Sequence, residues 1–139
     1  MYDAKAARML TRYNAWSNKI WYAALAALPE IEPTRSRPSL FKNMVHTMNH
    51  IYIIDLIWQA HLEGRDHGLA ARNTPDHPSL SELTLKHHEL NTWFVYWSDQ
   101  QTDDSVVAAD RTRDHYAFAP AGCFSSHGST KFGSLYRSW

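Results

Sequence analysis

Apolar positions recur at steps of three and four along most of the chain, and they divide it into helical segments separated by proline- and glycine-bearing breaks. The first predicted helix runs from about Asp3 to Leu28. Asp3 is an N-cap residue type and Pro29 marks the stop, while Leu10, Tyr13, Ile20, Trp21, Ala24 and Leu28 fall near one stripe. A polar linker, Glu30 to Arg37, follows between Pro33 and Pro38. The second predicted helix, Ser39 to Glu63, ends at Gly64, a residue suited to a left-handed C-terminal cap. Phe41, Met44, Met48, His50, Ile54, Ile57, Trp58 and Leu62 are too many apolar or aromatic positions for one narrow face, so this helix is expected to be central and heavily buried. The third begins with a capping box, Ser79-Leu80-Ser81-Glu82, and carries a seam of Leu80, Leu83, His87, Leu90, Phe94 and Trp97. That seam fades over Gln100 to Asp104. From Ser105 onward the pattern degrades, and the fourth helix that a closed core needs is scarcely written.

The segment Gly64 to Pro78 is polar and holds Gly68, Pro75 and Pro78, which reads as a loop. Fully extended it reaches roughly 50 Å, whereas a helix over residues 39–63 is about 37 Å long. It can therefore travel the whole bundle and leave the second and third helices parallel, as in bundles with a long crossover.

Composition narrows the class. Hydrophobic residues make up 44% of the 139 and charged residues 20%, as in soluble single domains, and one domain spanning 1–139 is expected. Lys plus Arg and Asp plus Glu are 14 each, so no net field favours nucleic acid or an anionic membrane. The apolar run Ile51 to Trp58 is broken by Asp55 and is too short to span a bilayer. Asp3, Lys5 and Arg8 stand in a helical pattern rather than in a signal peptide, and the single Cys123 excludes an internal disulfide framework; a cytoplasmic location is expected. Six tryptophans suit a core or a dimer interface, and nine histidines raise the question of a metal.

Two segments carry a family resemblance. Tyr13-Asn14-Ala15-Trp16-Ser17-Asn18 on the first helix is one; Thr47-Met48-Asn49-His50, with Asp55-Leu56-Ile57-Trp58 and Leu62-Glu63-Gly64, is the other. Together they resemble the DinB/YfiT-like family, and the likeness covers roughly residues 1–104. The resemblance implies an all-α, up-down-down-up four-helix bundle with a long crossover between helices 2 and 3, here with a weak or irregular fourth helix. It also implies a divalent metal, zinc or nickel, held by three histidines, and frequent homodimers. The second-helix ligand maps onto His50. The family's last helix supplies two more histidines at four-residue spacing; His127 matches the first and Gly133 the glycine that follows, while Lys131 stands in place of the second. The tail from about residue 120 matches poorly, through divergence with loss of the site or through a reading-frame change.

Neutral imidazoles converging from different helices, with an open coordination position, are what a catalytic zinc- or nickel-type site needs. His46 lies one turn before His50 and shares its face, so α-helical spacing offers a second donor; by family position it is not a ligand. Lys131 is protonated near neutral pH and is a poor donor. Asp55, five residues past His50, reads as a structural partner of a polar group across the bundle. Asn14 and Asn49 read as buried hydrogen-bonding groups, His87 as a structural seam histidine, and Trp16, Trp21, Trp58, Trp93 and Trp97 as core or dimer-interface residues. His61, His67, His77 and His115 are placed near loops or at exposed positions. The resemblance thus implies His50 and His127 as the metal-site residues. The implied activity is that of a thiol-dependent transferase, with a low-molecular-weight thiol or other small molecule as partner. The alternative is a metal-free dimeric bundle that acts as an interaction or small-molecule-binding module.

Overall fold

A computed structural model describes residues 3–111, and within them every regular element is helical. Helix α1 spans Ala4–Ala26, α2 Met44–Glu63, α3 Leu80–Asp99 and α4 Asp103–Arg111; a short 3-10 turn, Glu32–Thr34, lies in the first linker. Asp3 caps α1 by accepting from the Ala6 amide, and Ser79 caps α3 by accepting from the Glu82 amide. At the end of α2, Gly64 takes φ 69°, and Arg65 N–H closes back on the Ala60 carbonyl at 3.0 Å, a Schellman closure that glycine allows at no steric cost.

The start of α2 differs from the sequence reading. Ser39 does not cap it; Lys42 adopts a left-handed φ of 64°, which breaks any helical run through it. Asn43 is the cap instead, accepting from the His46 amide at 2.7 Å. Phe41 is thereby released from the helix and lies beside it.

Cross-links between helices fix the topology. Pairs between α1 and α3 run in opposite order: Tyr22 with His87, Asn14 and Asn18 with Asn91, Thr11 with Ser98, Arg12 with Asp99. Those two helices are antiparallel. Val45 packs in one cluster with Leu83, and farther along the same two helices Asp55 bonds His87, so α2 and α3 run the same way. The connection between them travels back along α2, with His77 beside Asn43, Thr74 beside His46, Asn73 beside Asn49 and Arg72 beside His50. This is the crossover that the loop length implies. Helix α4 returns to the start of α1, where Asp103 accepts from the Ala4 amide and Val106 packs on Ala4 and Ala7. The fold is the up-down-down-up bundle.

No residue from Met44 to Leu62 is exposed, as a central helix requires. The main apolar cluster joins Tyr22 and Leu25 of α1, Val45 and Met48 of α2, and Leu83 of α3. On α1 the sequence reading needs correction. The face turned inward is Ala4, Ala7, Thr11, Asn18, Tyr22 and Leu25, whereas Tyr13, Ile20, Trp21 and Leu28 of the apolar stripe are exposed. Trp16 and Trp21, at 57% and 50% exposure, are not core residues. The inversion has a physical cause: the inward polar groups are bonded across to α3, so burying them is tolerated.

Candidate functional site

His50 stands on the face of α2 that the crossover covers. Its Nδ1–H donates to the Arg72 carbonyl at 2.7 Å, and its ring is stacked on Phe41 with centroids 4.4 Å apart and planes 22° from parallel. With the proton held on Nδ1, the lone pair resides on Nε2. A backbone carbonyl bound to one ring nitrogen is how proteins orient an imidazole whose other nitrogen binds a metal. Burial lowers the pKa of His50, and the nearby positive charge of Arg72 lowers it further against the opposing carbonyl hydrogen bond. Both effects keep the ring in its neutral, ligating form.

The carbonyl that fixes His50 is itself held in place. Asn49, only 1% exposed, donates to Asn73 Oδ1 at 2.6 Å and to Thr74 Oγ1 at 2.8 Å. Asn73 donates in turn to the His46 carbonyl at 3.1 Å, and His46 Nε2–H donates to the Thr74 carbonyl at 2.7 Å. His77 joins the latch: it donates through Nδ1 to the Pro78 carbonyl and accepts at Nε2 from Asn43. His46 and His77 thus hold the crossover to α2, and the sequence reading of His77 as a loop histidine without a task missed this. His61, expected near an exposed loop position, is buried at 8% exposure against Trp58.

No group of three His, Cys, Asp or Glu side chains converges to hold a metal among the described residues. His50 fits one position of a ligand set by its tautomer and neutrality. His127, the second sequence candidate, lies outside the described residues, as do His115, Cys123 and Lys131.

A separate polar network crosses the middle of the bundle. Asp55 and His87, with side chains 1% and 0% exposed, are joined by His87 Nε2–H donating to Asp55 Oδ2 at 2.8 Å. Tyr22 OH donates to His87 Nδ1 at 2.7 Å, and Asn18 lies against His87 while donating to Asn91 Oδ1 at 3.1 Å. The expected structural partnership of Asp55 across the bundle is therefore present, and His87 is its partner. The second carboxylate oxygen, Oδ1, is buried with no hydrogen-bond partner among the described residues.

Burial raises the Tyr22 phenol pKa far above its ordinary value, with the Asp55 and Tyr52 charges adding to the shift. A raised folded-state pKa gives stability that is complete below the unfolded value, about 10 for tyrosine, and is lost as pH climbs toward the folded value. Tyr52 is raised as well, chiefly by burial. Stability is expected to fall above about pH 10, with Tyr22 contributing a slope of up to roughly 1.4 kcal/mol per pH unit. Urea titrations at a series of alkaline pH values should show Tyr22→Phe removing that part of the slope, with Tyr52→Phe removing a smaller part of its own. An unchanged slope in Tyr22→Phe would contradict the assignment.

A sequence model described as the DinB family matches residues 1–117. The match ends before His127. No curated protein and no solved structure is significantly similar to the chain.

Proposed function

The chain belongs to the DinB family, and on that premise we propose that it binds one divalent cation of the zinc or nickel type, with His50 as the ligand from α2. The observation that supports this most directly is the Nδ1–H bond to the Arg72 carbonyl, which leaves Nε2 as the basic nitrogen on a ring kept neutral by burial. His127 is the proposed second ligand. Phe41 blocks one face of the His50 ring, and the Arg72–Thr74 stretch holds its edge, so this chain presents the imidazole in one orientation. When bound, such an ion supplies a Lewis acid whose open positions accept a low-molecular-weight thiol as thiolate, the chemistry of a thiol-dependent transferase.

Elemental analysis of the purified full chain tests the reading. Near-stoichiometric zinc or nickel is expected in the native protein, with loss in His50→Ala and a lower content in His127→Ala. A native protein that holds neither metal, and whose thermal midpoint does not rise on adding either ion, would rule the proposal out.

A second reading, a dimeric interaction module, draws support from the outer face of α1. Met9, Tyr13, Trp16 and Ile20 follow one another at steps of four, three and four and are 63%, 48%, 57% and 48% exposed. A continuous apolar stripe of this kind suits a second copy of the chain. Sedimentation should give a dimer for the native protein and a monomer for Trp16→Glu, with helicity unchanged. An equal mass for both proteins at every concentration refutes the assignment of this face.

A further inference from the structure

The other side of the α1–α3 contact carries a cleft of about 320 Å³, opened by the small side chains of Ala15, Ala23 and Ala26. Lys19 and His88 stand at its exposed rim, and Tyr22 and Asn91 lie at its base, each 4% exposed. Asn91 is the informative residue. Its Oδ1 accepts from both Asn14 and Asn18, which commits that end of the amide to the core network. Its Nδ2 bonds no described group and, unlike Asp55 Oδ1 and His61 Nδ1, is not sealed from solvent; since the residue lines the cleft, an N–H donor is available there. Such a donor can exchange water for an anionic oxygen, to which its hydrogen bond is stronger.

The cleft does not end there. Ala26, Thr84 and Leu85 also line a larger groove of about 1090 Å³ that continues past Leu28, Ile31 and Pro33. Leu28, Ile31 and Leu85 are 38%, 61% and 68% exposed, so this stretch is an open apolar channel. Among the described residues, the one carboxylate lining it, Glu30, lines the larger groove and not the cleft. Along α3 from Asn91 back to Leu80 the distance is about 16 Å. One end of the groove is therefore cationic and rich in donors, and the rest is apolar.

We propose that this groove binds a long-chain monocarboxylate, its carboxylate between Lys19, His88 and the Asn91 amide and its alkyl tail along Ala23, Ala26 and Leu85 toward Ile31. The ammonium of Lys19 and the amide N–H supply charge-assisted bonds to one anionic head, and the tail covers apolar surface that water otherwise wets. The site is independent of the proposed metal ligand, since His50 does not line it.

Calorimetric titration of the full chain with dodecanoate at neutral pH, below its aggregation concentration, tests the proposal. Saturable one-to-one binding is expected, weakened about tenfold or more by Lys19→Glu, which reverses the head charge. Ala26→Trp, at an exposed position outside the polar network, should weaken it similarly by filling the groove. Lys86→Glu, whose native lysine pairs with Glu82, should leave binding unchanged. Dodecyltrimethylammonium, with the same tail and the opposite charge, should bind far less. Absence of saturable dodecanoate binding overturns the proposal, as does equal binding of the cationic analogue. So does an Ala26→Trp variant that alters only the oligomeric state, which would make the groove an interface between copies. Binding to anionic phosphatidylglycerol vesicles without binding of free dodecanoate would also refute it.

Discussion

Asp55→Ala is expected to destabilise the fold by about 3–5 kcal/mol, because it removes one partner of a fully buried ion-capable pair and strands the other. His87 Nε2–H loses its acceptor in an interior where its ring is 0% exposed, and the Tyr22 and Asn18 contacts to that ring lose their fixed geometry. Domains of this size hold about 5–15 kcal/mol in total, so the variant should unfold at much lower urea concentration and be partly unfolded when warmed. Asp55→Asn keeps an oxygen for His87 Nε2–H while it removes the charge and puts an NH2 donor where Oδ1 is buried without a described partner. It should still cost stability, but less than Asp55→Ala. A triple replacement, Asp55→Leu with His87→Leu and Tyr22→Phe, should be less damaging than Asp55→Ala, because the buried carboxylate, imidazole and phenol that bond one another are then removed together. Urea midpoints for the set decide the matter. A loss under about 1 kcal/mol in Asp55→Ala would mean that the pair does not hold α2 to α3.

The network also explains which parts of the fold were legible in the sequence. Asp3, Gly64 and Ser79 signal helix ends through local chemistry, and all three act as read. The crossover was legible from length alone. The inward face of α1 was not, because hydrophobic periodicity assumes that apolar residues face the core. Thr11 and Asn18 point inward only because Ser98, Asn91 and His87 stand opposite them, and that pairing is separated by about seventy residues or more along the chain. The start of α2 was misread for a similar reason: Ser39 and Asn43 are both capping residue types, and the left-handed Lys42 that decides between them has no sequence signature. At the candidate site, His50 was legible through its neighbours Asn49 and Asp55. The group that sets its tautomer is a backbone carbonyl, and no residue type announces that.

Asn49→Ala should therefore test whether the crossover tunes His50 or merely packs beside it. The Asn49 amide makes two hydrogen bonds to the loop and is almost wholly enclosed, so truncation takes one donor each from Asn73 Oδ1 and Thr74 Oγ1, while the bonds of these two residues to His46 remain. A stability loss of about 1–3 kcal/mol is expected from unmet polar groups alone. If the proposed metal is bound, a further effect follows: with two of the bonds that tie Asn73 and Thr74 to α2 gone, the adjoining Arg72 carbonyl holds the direction of His50 Nδ1–H less firmly. Loss of such an outer hydrogen bond typically lowers metal affinity about 10- to 100-fold. Competition titrations with a chromophoric chelator measure this separately from stability. Thr47→Ala provides the comparison, since its hydroxyl bonds the Asn43 carbonyl within its own helix rather than the loop. Both variants binding zinc or nickel as tightly as the native chain would show that the latch orders the crossover without orienting His50. A selective loss in Asn49→Ala would show that the loop acts through the imidazole.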